Sequence, residues 1–230
     1  MGTVLLSSPE REEMTPEPSY FVAFLLHIMM YYLPSGGSII MRDKLLIVGA
    51  GGLGRVVLEL AEQEYDCAFL DDDPDIEGTV INGAEVAGRI RDLEKIYPEY
   101  SNLVVAIGNN PLREKIYHEA EQVGFEFPNI VWPSAYISPY ASVGRGCIIL
   151  NNAVVQNDAV LGDGTILCSG AEAHHGSTIG NHCVIYSNSV IRSLTHVGDR
   201  VWIGSTVSIS TGASVPDDAV IEDGSVVKCQ

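Results

Sequence analysis

A six-residue repeat in the C-terminal half constrains the fold of this chain more than any other feature. Sixteen positions from Ile137 to Val227, each six residues beyond the last, carry an aliphatic residue. A small residue or a valine stands two places before each of them. Neither helical nor simple strand periodicity produces a period of six. The repeat therefore predicts a solenoid in which each unit is a short strand followed by a turn.

Glycine marks a longer period within this repeat. Gly144, Gly162, Gly180 and Gly198 lie 18 residues apart, which predicts that three units close one coil and that one corner uses glycine for a tight turn. A partial coil begins near Trp132. The aliphatic side chains are expected to stack inside the coils, whose handedness the period does not determine. The predicted complete coils are 141–158, 159–176, 177–194, 195–212 and 213–230.

Residues 41–130 follow a different pattern, in which apolar runs of strand length alternate with helical spacing. Asn110 is predicted to cap a helix that ends at Gly124. Such alternation predicts a parallel sheet with crossover helices, here a small Rossmann-like α/β domain. An all-β solenoid domain over 131–230 would follow it. The predicted strands are Leu45–Val48, Cys67–Leu70 and Leu103–Ile107.

Residues 1–40 share neither pattern. The apolar run over 21–33 is shorter than the roughly 20 residues that a bilayer span needs. Acidic residues precede it, where a secretion signal would carry positive charge. We expect Met41 to be the natural start and residues 1–40 to be a translated upstream stretch. A disordered tail or a weak membrane anchor is the alternative.

Charge and cysteine content restrict the partners and the compartment. The chain has 13 basic and 30 acidic residues, a net charge of −17, which argues against binding to nucleic acid or to an anionic membrane surface. Its five cysteines are odd in number and include no C-x-x-C pair. We therefore expect reduced thiols and a cytoplasmic protein.

A glycine-rich turn joins the first predicted strand to the first predicted helix. In the motif Gly49-x-Gly51-x-x-Gly54 the backbone can approach a diphosphate, and the helix N-terminus supplies N–H donors. Asp71 follows about 20 residues later, where an acid binds ribose hydroxyls in dinucleotide sites. The motif alone does not separate NAD from a nucleotide sugar. The small domain and the attached solenoid favour the sugar, and a tight turn without a ligand is the alternative.

Polar residues follow two other predicted strands. Asp71 and Asp72 come after the second strand, and Gly108, Asn109 and Asn110 come after the third. Ligands of open parallel sheets bind at these carboxyl ends. Asn109 and Asn110 are therefore candidates for contacts to a uracil or a sugar hydroxyl. A role as helix cap explains Asn110 equally well.

Several segments, together with the repeat, resemble a bacterial family of hexapeptide-repeat sugar acetyltransferases. The family includes sialic acid O-acetyltransferases and UDP-4-amino-sugar N-acetyltransferases of the bacillosamine type. The resemblance covers about residues 43–230. It implies a left-handed β-helix, a homotrimer, acetyl-CoA in the groove between neighbouring β-helices, and an N-terminal domain that holds the nucleotide of the sugar. The matching segments are Leu45–Gly54, Phe69–Asp72, Val105–Asn110, Arg113–Tyr117 and Ser134–Pro139.

The resemblance assigns the role of general base to His175. This residue stands five places before Gly180 and 29 before Gly204, as the family spacing requires. A histidine can accept a proton from an attacking amine or hydroxyl near neutral pH. A solvated corner at His174 and His175 is the alternative. The resemblance further implies that Ser193, Gly204 and Ser205 contact acetyl-CoA. Implied nucleotide-sugar contacts are Gly49, Gly51, Gly52, Leu53, Asp71, Asp72, Gly108, Asn109, Asn110 and Arg113.

The chain departs from the family pattern at several places. Gly176 stands where the family usually has an acid that orients the base, so we expect Glu172, or a carboxylate of another coil or subunit, to substitute. Ser193 replaces a usual glycine whose N–H helps to bind the thioester carbonyl, and a backbone donor survives that replacement. Relatives continue beyond the position of Gln230 into a short cap. We therefore expect either a truncated chain or an incomplete cofactor site.

These observations predict direct acetyl transfer from acetyl-CoA to an amino group of a nucleotide-linked sugar, in one ternary complex with His175 as base. An O-acetyltransferase acting on a sialic-acid-like sugar is one alternative, and a catalytically weak scaffold trimer that binds nucleotide sugar is another. Some left-handed β-helix trimers are zinc enzymes, but the histidines here lack the paired spacing of such a site. We therefore predict no metal site, and we interpret His118 and His182 as surface residues.

Overall fold

The computed structural model describes residues 42–229. The expectations for residues 1–40, for Met41 as the natural start and for the chain end at Gln230 therefore lie outside the described residues.

A five-stranded sheet with helices forms the N-terminal part, and its strand order is β3–β4–β2–β1–β5. β1 pairs in parallel with β2 and β5, so the helices between these strands belong to crossover connections, as the alternating pattern predicts. β3 and β4 form an antiparallel hairpin at one edge. The strands are β1 Lys44–Val48, β2 Asp66–Leu70, β3 Val80–Ile81, β4 Ala84–Gly88 and β5 Asn102–Val105. The helices are α1 Gly52–Ala61, α2 Leu93–Ile96, which follows a 3-10 turn at Ile90–Asp92, and α3 Asn110–Val123.

The cap of α3 differs from the prediction by one residue. Asn109, not Asn110, is the N-cap, and its side-chain oxygen accepts a hydrogen bond from the Leu112 N–H at 2.9 Å. Asn110 is the first residue of the helix itself. Both asparagines are good caps, and the sequence alone does not rank them. The predicted end at Gly124 is confirmed, because this glycine adopts the left-handed conformation with φ of 111°.

A left-handed parallel β-helix follows, as the resemblance implied. Two-residue strands alternate with turns, and each strand inside a face pairs in parallel with the strands 18 residues before and after it. Face 1 contains β7 Tyr136–Ile137, β10 Val154–Val155, β13 Glu172–Ala173, β16 Val190–Ile191, β19 Ser208–Ile209 and β22 Val226–Val227. Face 2 contains β8 Ser142–Val143, β11 Val160–Leu161, β14 Thr178–Ile179, β17 His196–Val197 and β20 Ser214–Val215. Face 3 contains β6 Ile130–Val131, β9 Ile148–Ile149, β12 Ile166–Leu167, β15 Val184–Ile185, β18 Trp202–Ile203 and β21 Val220–Ile221.

The aliphatic residues of the six-residue repeat fill the inside of the coils. Ile149, Leu167, Ile185 and Ile203 on face 3 are fully buried and belong to one core cluster with their counterparts on the other faces. Small residues such as Ala153 stand between them, since a narrow triangular coil has little room at its corners. Burial of stacked aliphatic side chains is therefore the main stabilising contribution in this half of the protein.

The glycines of the 18-residue period have a different role from the one predicted. Gly144, Gly162, Gly180 and Gly198 are absent from the positive-φ residues, so they do not provide the sharp turn. A Cβ at any of them would collide with the backbone of the next coil. The prediction of a tight-turn role is wrong, and the reason for glycine is the close approach of successive coils. Positive φ occurs two residues later, for example at Gly146 and Gly164.

The same corner carries a ladder of side-chain hydrogen bonds between coils. Asp163 Oδ1 accepts from the Arg145 N–H at 2.8 Å, and Asn181 Oδ1 accepts from the Asp163 N–H at 2.9 Å. Asp199 and Asp217 continue the series at 2.7 and 2.9 Å. Because each rung spans one coil, the ladder supports the 18-residue register at this corner.

The N-terminal sheet packs on face 3 of the β-helix. Outward residues of that face, Ile148, Ile166 and Val184, are buried in the same apolar cluster as Leu45 and Ile47 of β1. Outward positions on the other two faces are more open, as at Tyr136 and Val160. Face 3 of the β-helix is therefore covered by the N-terminal part.

Within residues 42–229, no helix has the length and apolar character to cross a bilayer.

Candidate functional site

The glycine-rich turn presents an open backbone surface at the start of α1. Gly51 is the N-cap, no side chain caps the helix, and its first turn holds no acidic residue. A Cβ on Gly51 or Gly52 would meet no atom within 4 Å. The first N–H groups of a helix have no partner inside the helix, and they carry partial positive charge. The turn therefore has the geometry of an anion site.

Asp71 organises this turn. Its Oδ2 accepts a hydrogen bond from the Ala50 N–H at 2.8 Å, and its Oδ1 accepts one from the Asp73 N–H at 3.0 Å. The carboxylate thus ties the end of β2 to the glycine-rich turn, and each oxygen keeps a lone pair for a ligand. Asp72 points elsewhere, because its Oδ1 accepts from the Ile90 N–H at 3.0 Å.

The turn after β5 lies beside the glycine-rich turn. A Cβ on Gly49 would lie 3.0 Å from the Ala106 carbonyl oxygen, so the two backbones are in close contact. Gly108 and Asn109 are exposed at this edge. A Cβ on Gly108 would lie 3.7 Å from the Tyr186 hydroxyl of the β-helix. The structure therefore brings the predicted nucleotide contacts of the first and third strands together beside face 3.

Two glycine substitutions test which glycine of this motif is required for packing. Gly54 is buried, and a Cβ there would overlap the Gly49 carbonyl, so Gly54→Ala should lower the free energy of unfolding by about 1–3 kcal/mol or more. Gly52→Ala has open space and should change it by less than about 1 kcal/mol. Urea unfolding measures both. Equal destabilisation by the two variants would contradict the packing account.

Asn110 and Arg113 do not belong to an accessible ligand site. Asn110 is 4% exposed, and its amide donates to the Arg200 carbonyl at 2.9 Å while its oxygen accepts from Arg113. Arg113 is 1% exposed, and burial lowers its pKa to about 10, so it is charged at neutral pH. Its guanidinium donates to five oxygens, on Ile107, Asn110, Gly164, His182 and Cys183. The substrate role predicted for these two residues is therefore replaced by a structural one, because the side chains fasten α3 to the β-helix.

His175 stands exposed at the corner between faces 1 and 2. Its backbone N–H donates to Gln156 Oε1 at 3.0 Å, and its ring Nε2 lies 2.8 Å from Ser193 Oγ. A hollow of about 640 Å³ lies beside the ring. Its other lining residues are Tyr136, Ser138, Pro139, Tyr140, Gln156, Asn157 and Asp158. The corner thus holds an accessible imidazole next to space for a ligand.

The partner that holds this imidazole was not predicted. Ser193 stands 18 residues after His175, one coil further, so the 18-residue period was the signal that could have identified the contact. Glu172, the expected substitute for the missing acid, hydrogen-bonds the neighbouring His174 at 2.9 Å instead. The expectation that Glu172 orients His175 within its own chain is therefore wrong. The side chains of Glu172 and His174 lie on the strand and turn that precede His175.

Removal of the Ser193 hydroxyl tests whether it positions the imidazole. For the acetyl transfer that the resemblance implies, we expect Ser193→Ala to lower kcat by about 2–10-fold, the range for one hydrogen bond, with KM for acetyl-CoA nearly unchanged. Steady-state kinetics of acetyl transfer would measure both constants. A rise in KM for acetyl-CoA at constant kcat would show instead that Ser193 contacts the cofactor.

Gly204 and Ser205 lie at a different corner, between faces 3 and 1. The Gly204 N–H donates to the Ile221 carbonyl at 2.8 Å, and the Ser205 N–H donates to Asp223 Oδ1 at 2.6 Å. Both backbone donors are therefore used within the β-helix. Any contact of these two residues with acetyl-CoA would have to use their carbonyl groups or the Ser205 hydroxyl.

The glycine-rich turn and His175 occupy opposite sides of the same chain. The turn belongs to the N-terminal sheet, which packs on face 3. His175 lies at the edge where faces 1 and 2 of the β-helix meet. Gln156 and Ser193, its two hydrogen-bond partners, share that edge. One chain therefore does not bring its own candidate nucleotide site and its own candidate base together.

His182 differs most from its predicted environment. It is 2% exposed rather than on the surface, and it contacts Tyr117 and His118 of α3 with ring centroids 5.1 and 5.9 Å away. The prediction for His182 is wrong because α3 covers this corner, which the repeat alone does not reveal. His118 is exposed, as predicted.

Comparisons with known proteins agree with this architecture. Residues 44–120 match the family "PglD N-terminal domain", and residues 158–193 match "Bacterial transferase hexapeptide (six repeats)". UDP-N-acetylbacillosamine N-acetyltransferase of Bacillus subtilis (strain 168) is 32% identical over 111 residues, 45% of this chain and 50% of that protein. The chain thus matches half the length of this curated relative.

Two groups of solved structures are similar over most of their length. The acetyltransferase domain of PglB from Neisseria gonorrhoeae FA1090, in complex with acetyl coenzyme A, is 33% identical with a TM-score of 0.77; the match covers 82% of this chain and 92% of that one. A mutant of perosamine N-acetyltransferase from Caulobacter crescentus, in complex with CoA and GDP-perosamine, is 28% identical with the same TM-score of 0.77. That match covers 84% of this chain and 92% of the other.

Proposed function

Since the chain belongs to the family of hexapeptide-repeat sugar acetyltransferases with a PglD-type N-terminal domain, we propose that it transfers an acetyl group from acetyl-CoA to an amino group of a nucleotide-linked sugar. The observation that carries this proposal is an open, uncapped glycine-rich turn in the same chain as an exposed histidine beside a hollow. The similar proteins whose names state an acceptor act on amino sugars, which favours N-acetylation over O-acetylation.

The N-terminal part would bind the diphosphate at Gly51 and Gly52. The exposed backbone and side chain of Asn109, with Asp71 behind the turn, would contact the nucleoside or the sugar. Acetyl-CoA would lie along the β-helix, near Ser193 and the corner of Gly204 and Ser205.

His175 would act as the general base. The sugar amine attacks the thioester carbonyl carbon, the imidazole takes a proton from the attacking nitrogen, and the C–S bond breaks to release CoA, which takes up a proton. Both substrates would be bound together, so the acetyl group passes directly between them. The Ser193 hydroxyl supports this role because it holds one ring nitrogen at 2.8 Å.

We propose further that the site is shared between subunits of a homotrimer. The opposite placement of the glycine-rich turn and His175 supports this, since the sugar bound by one chain would reach the histidine of its neighbour. Apolar side chains that remain exposed on or beside faces 1 and 2 also favour subunit contacts. They include Tyr136, Leu194 and Val226, which are 57%, 66% and 62% exposed. A monomer in sedimentation would argue strongly against the shared site.

The first experiment follows release of free CoA from acetyl-CoA, with a UDP-linked 4-amino sugar as acceptor and the GDP-linked equivalent beside it. We expect turnover that requires the amino group, so the 4-hydroxy sugar nucleotide is the matched control. Binding of the nucleotide sugar without any CoA release would favour a scaffold trimer instead.

Subunit mixing tests the shared site directly. His175→Ala removes the base, and Gly52→Trp would block the diphosphate surface while leaving the base intact. Each variant trimer should be inactive. Trimers refolded from a mixture of the two should regain activity, because some sites then combine an intact turn with an intact histidine. Continued inactivity of folded mixed trimers would mean that both parts come from one chain.

A cytoplasmic location is part of the proposal, since acetyl-CoA and nucleotide sugars are cytoplasmic metabolites. The absence of disulfides among Cys67, Cys147, Cys168 and Cys183 agrees with it.

A further inference from the structure

His182 occupies a position whose environment its packing alone does not explain. It lies at the corner between faces 2 and 3, where the equivalent residues of the two preceding coils are Gly146 and Gly164. It adopts a positive φ of 52°, as the equivalent Arg200 does one coil later, and its side chain is almost completely buried. Within the described residues its Nδ1 has no hydrogen-bond partner. Buried side-chain nitrogens usually have a hydrogen-bond partner, so the unpartnered Nδ1 points to a role beyond packing.

Two further donors come from helix α3. Glu114 and His118 are four residues apart, so they lie on the same side of the helix, one turn apart. The potential ligand atoms of Glu114, His118 and His182 all lie within 4.8 Å of one another. They line a hollow of about 140 Å³ that opens between α3 and the β-helix. Two imidazoles and one carboxylate from two separate elements thus converge on one space.

We propose that Glu114, His118 and His182 bind a divalent transition-metal ion, and that Zn²⁺ is the ion these donors fit best. Two histidines and one glutamate form a known three-ligand zinc set, which leaves a fourth position for water. Ligand atoms about 2.0–2.1 Å from zinc are about 3.4 Å apart in a tetrahedral site, so the present spacing has to contract. His118 is 58% exposed and Glu114 is 28% exposed at the side chain, and rotation of these two chains provides the contraction while His182 stays fixed.

The neighbouring charges are compatible with a cation. Arg145 is paired with Glu121 and Asp163 at 2.8 and 3.1 Å. Arg200 is paired with Asp218 at 2.7 Å and with one oxygen of Glu114 at 3.0 Å. These carboxylates therefore offset Arg145 and Arg200. Arg113 donates to the His182 carbonyl and is a nearby positive charge that the ion has to tolerate. The other oxygen of Glu114 is available to the ion.

The ion would join α3 to the corner of the β-helix, on a different edge of the prism from His175. Its expected effect is therefore on stability rather than on the acetyl-transfer step. The inference does not depend on the proposed function, because it concerns residues that the proposed reaction does not use.

Zinc titration of tag-free, chelator-treated protein tests the proposal. Calorimetry should show one Zn²⁺ bound per chain, with a rise in Tm as Zn²⁺ is added. His118→Ala should fold normally, because the side chain is exposed, and should weaken binding by more than about 100-fold, beyond the effect of losing an outer-shell partner. Glu114→Gln should also weaken it. His196→Ala, which removes an exposed histidine on face 2, is the matched control and should bind Zn²⁺ like the unaltered protein.

Three results would overturn the proposal. They are the absence of Zn²⁺ binding in the unaltered protein, undiminished binding in His118→Ala, and loss of binding in His196→Ala. The second would assign the bound ion to other residues, such as His174 and His175, and the third would place His196 among its ligands.

Discussion

His175→Ala should lower the rate of CoA release by about 10²–10⁴-fold, the usual contribution of a positioned general base. The side chain is exposed and makes one side-chain hydrogen bond, to Ser193, so its loss should leave the fold intact. The nucleotide sugar should still bind, because its proposed site lies on the other side of the chain. CoA release and nucleotide-sugar affinity, measured on the same preparation, separate the two effects.

His174→Ala is the matched control for this prediction. His174 stands at the same corner and is hydrogen-bonded to Glu172 at 2.9 Å, an arrangement that also resembles a base with an orienting acid. We expect its replacement to change the rate by no more than about threefold, the effect of less than 1 kcal/mol. If His174→Ala abolishes turnover while His175→Ala retains it, the base is His174 with Glu172, and the assignment by family spacing is incorrect.

Arg113→Met should destabilise the protein more than any other substitution considered. Methionine fills a similar volume, but four oxygens of a largely buried region lose their donor, whereas the Cys183 carbonyl keeps the N–H of Ile166. The four are on Ile107, Asn110, Gly164 and His182. Each unsatisfied buried acceptor costs about 1–3 kcal/mol, and partial relaxation makes a total loss of about 3–5 kcal/mol reasonable. Urea unfolding followed by circular dichroism measures this loss.

We also expect Arg113→Met to change the number of transitions in the unfolding curve. Because Arg113 joins α3 to the carbonyl groups of Gly164, His182 and Cys183, its loss should uncouple the N-terminal part from the β-helix. The single transition of the parent should then separate into two. Lys115→Ala on the same helix is the control. Its side chain is 70% exposed and lies 3.7 Å from Glu119, so the change should stay within about 0.5 kcal/mol. Similar losses in both variants would contradict the proposed fastening role.

The parts of this structure that follow from local periodicity could be predicted from the sequence. The six-residue repeat determines which side chains of the coils are internal, and Ile149, Ile185 and Ile203 are buried as it requires. The alternating pattern before it correctly predicts the parallel strands β1, β2 and β5. These features depend on spacing along the chain, which the sequence displays directly.

The parts that depend on contacts between the two halves could not be predicted in this way. Arginine and histidine are usually exposed, so the burial of Arg113 and His182 contradicts the ordinary expectation for their residue types. Both are buried because α3 packs on one corner of the β-helix, and the repeat does not indicate which corner that is. The contact between His175 and Ser193 is an intermediate case, since the 18-residue period aligns the two residues without determining their rotamers.

The separation of His175 from the face that carries the N-terminal sheet has a consequence for gene dosage. In a shared trimer each site combines one chain's nucleotide surface with a neighbour's histidine. A chain that lacks only His175 therefore inactivates one site of its trimer. In trimers assembled from intact and mutant chains, the total activity falls in proportion to the fraction of mutant chains. A chain defective in both its nucleotide surface and its His175 inactivates the two sites that it shares with its neighbours. The total activity then falls as the square of the fraction of intact chains. Alleles of the first kind would behave as recessive, whereas alleles of the second kind would be partly dominant.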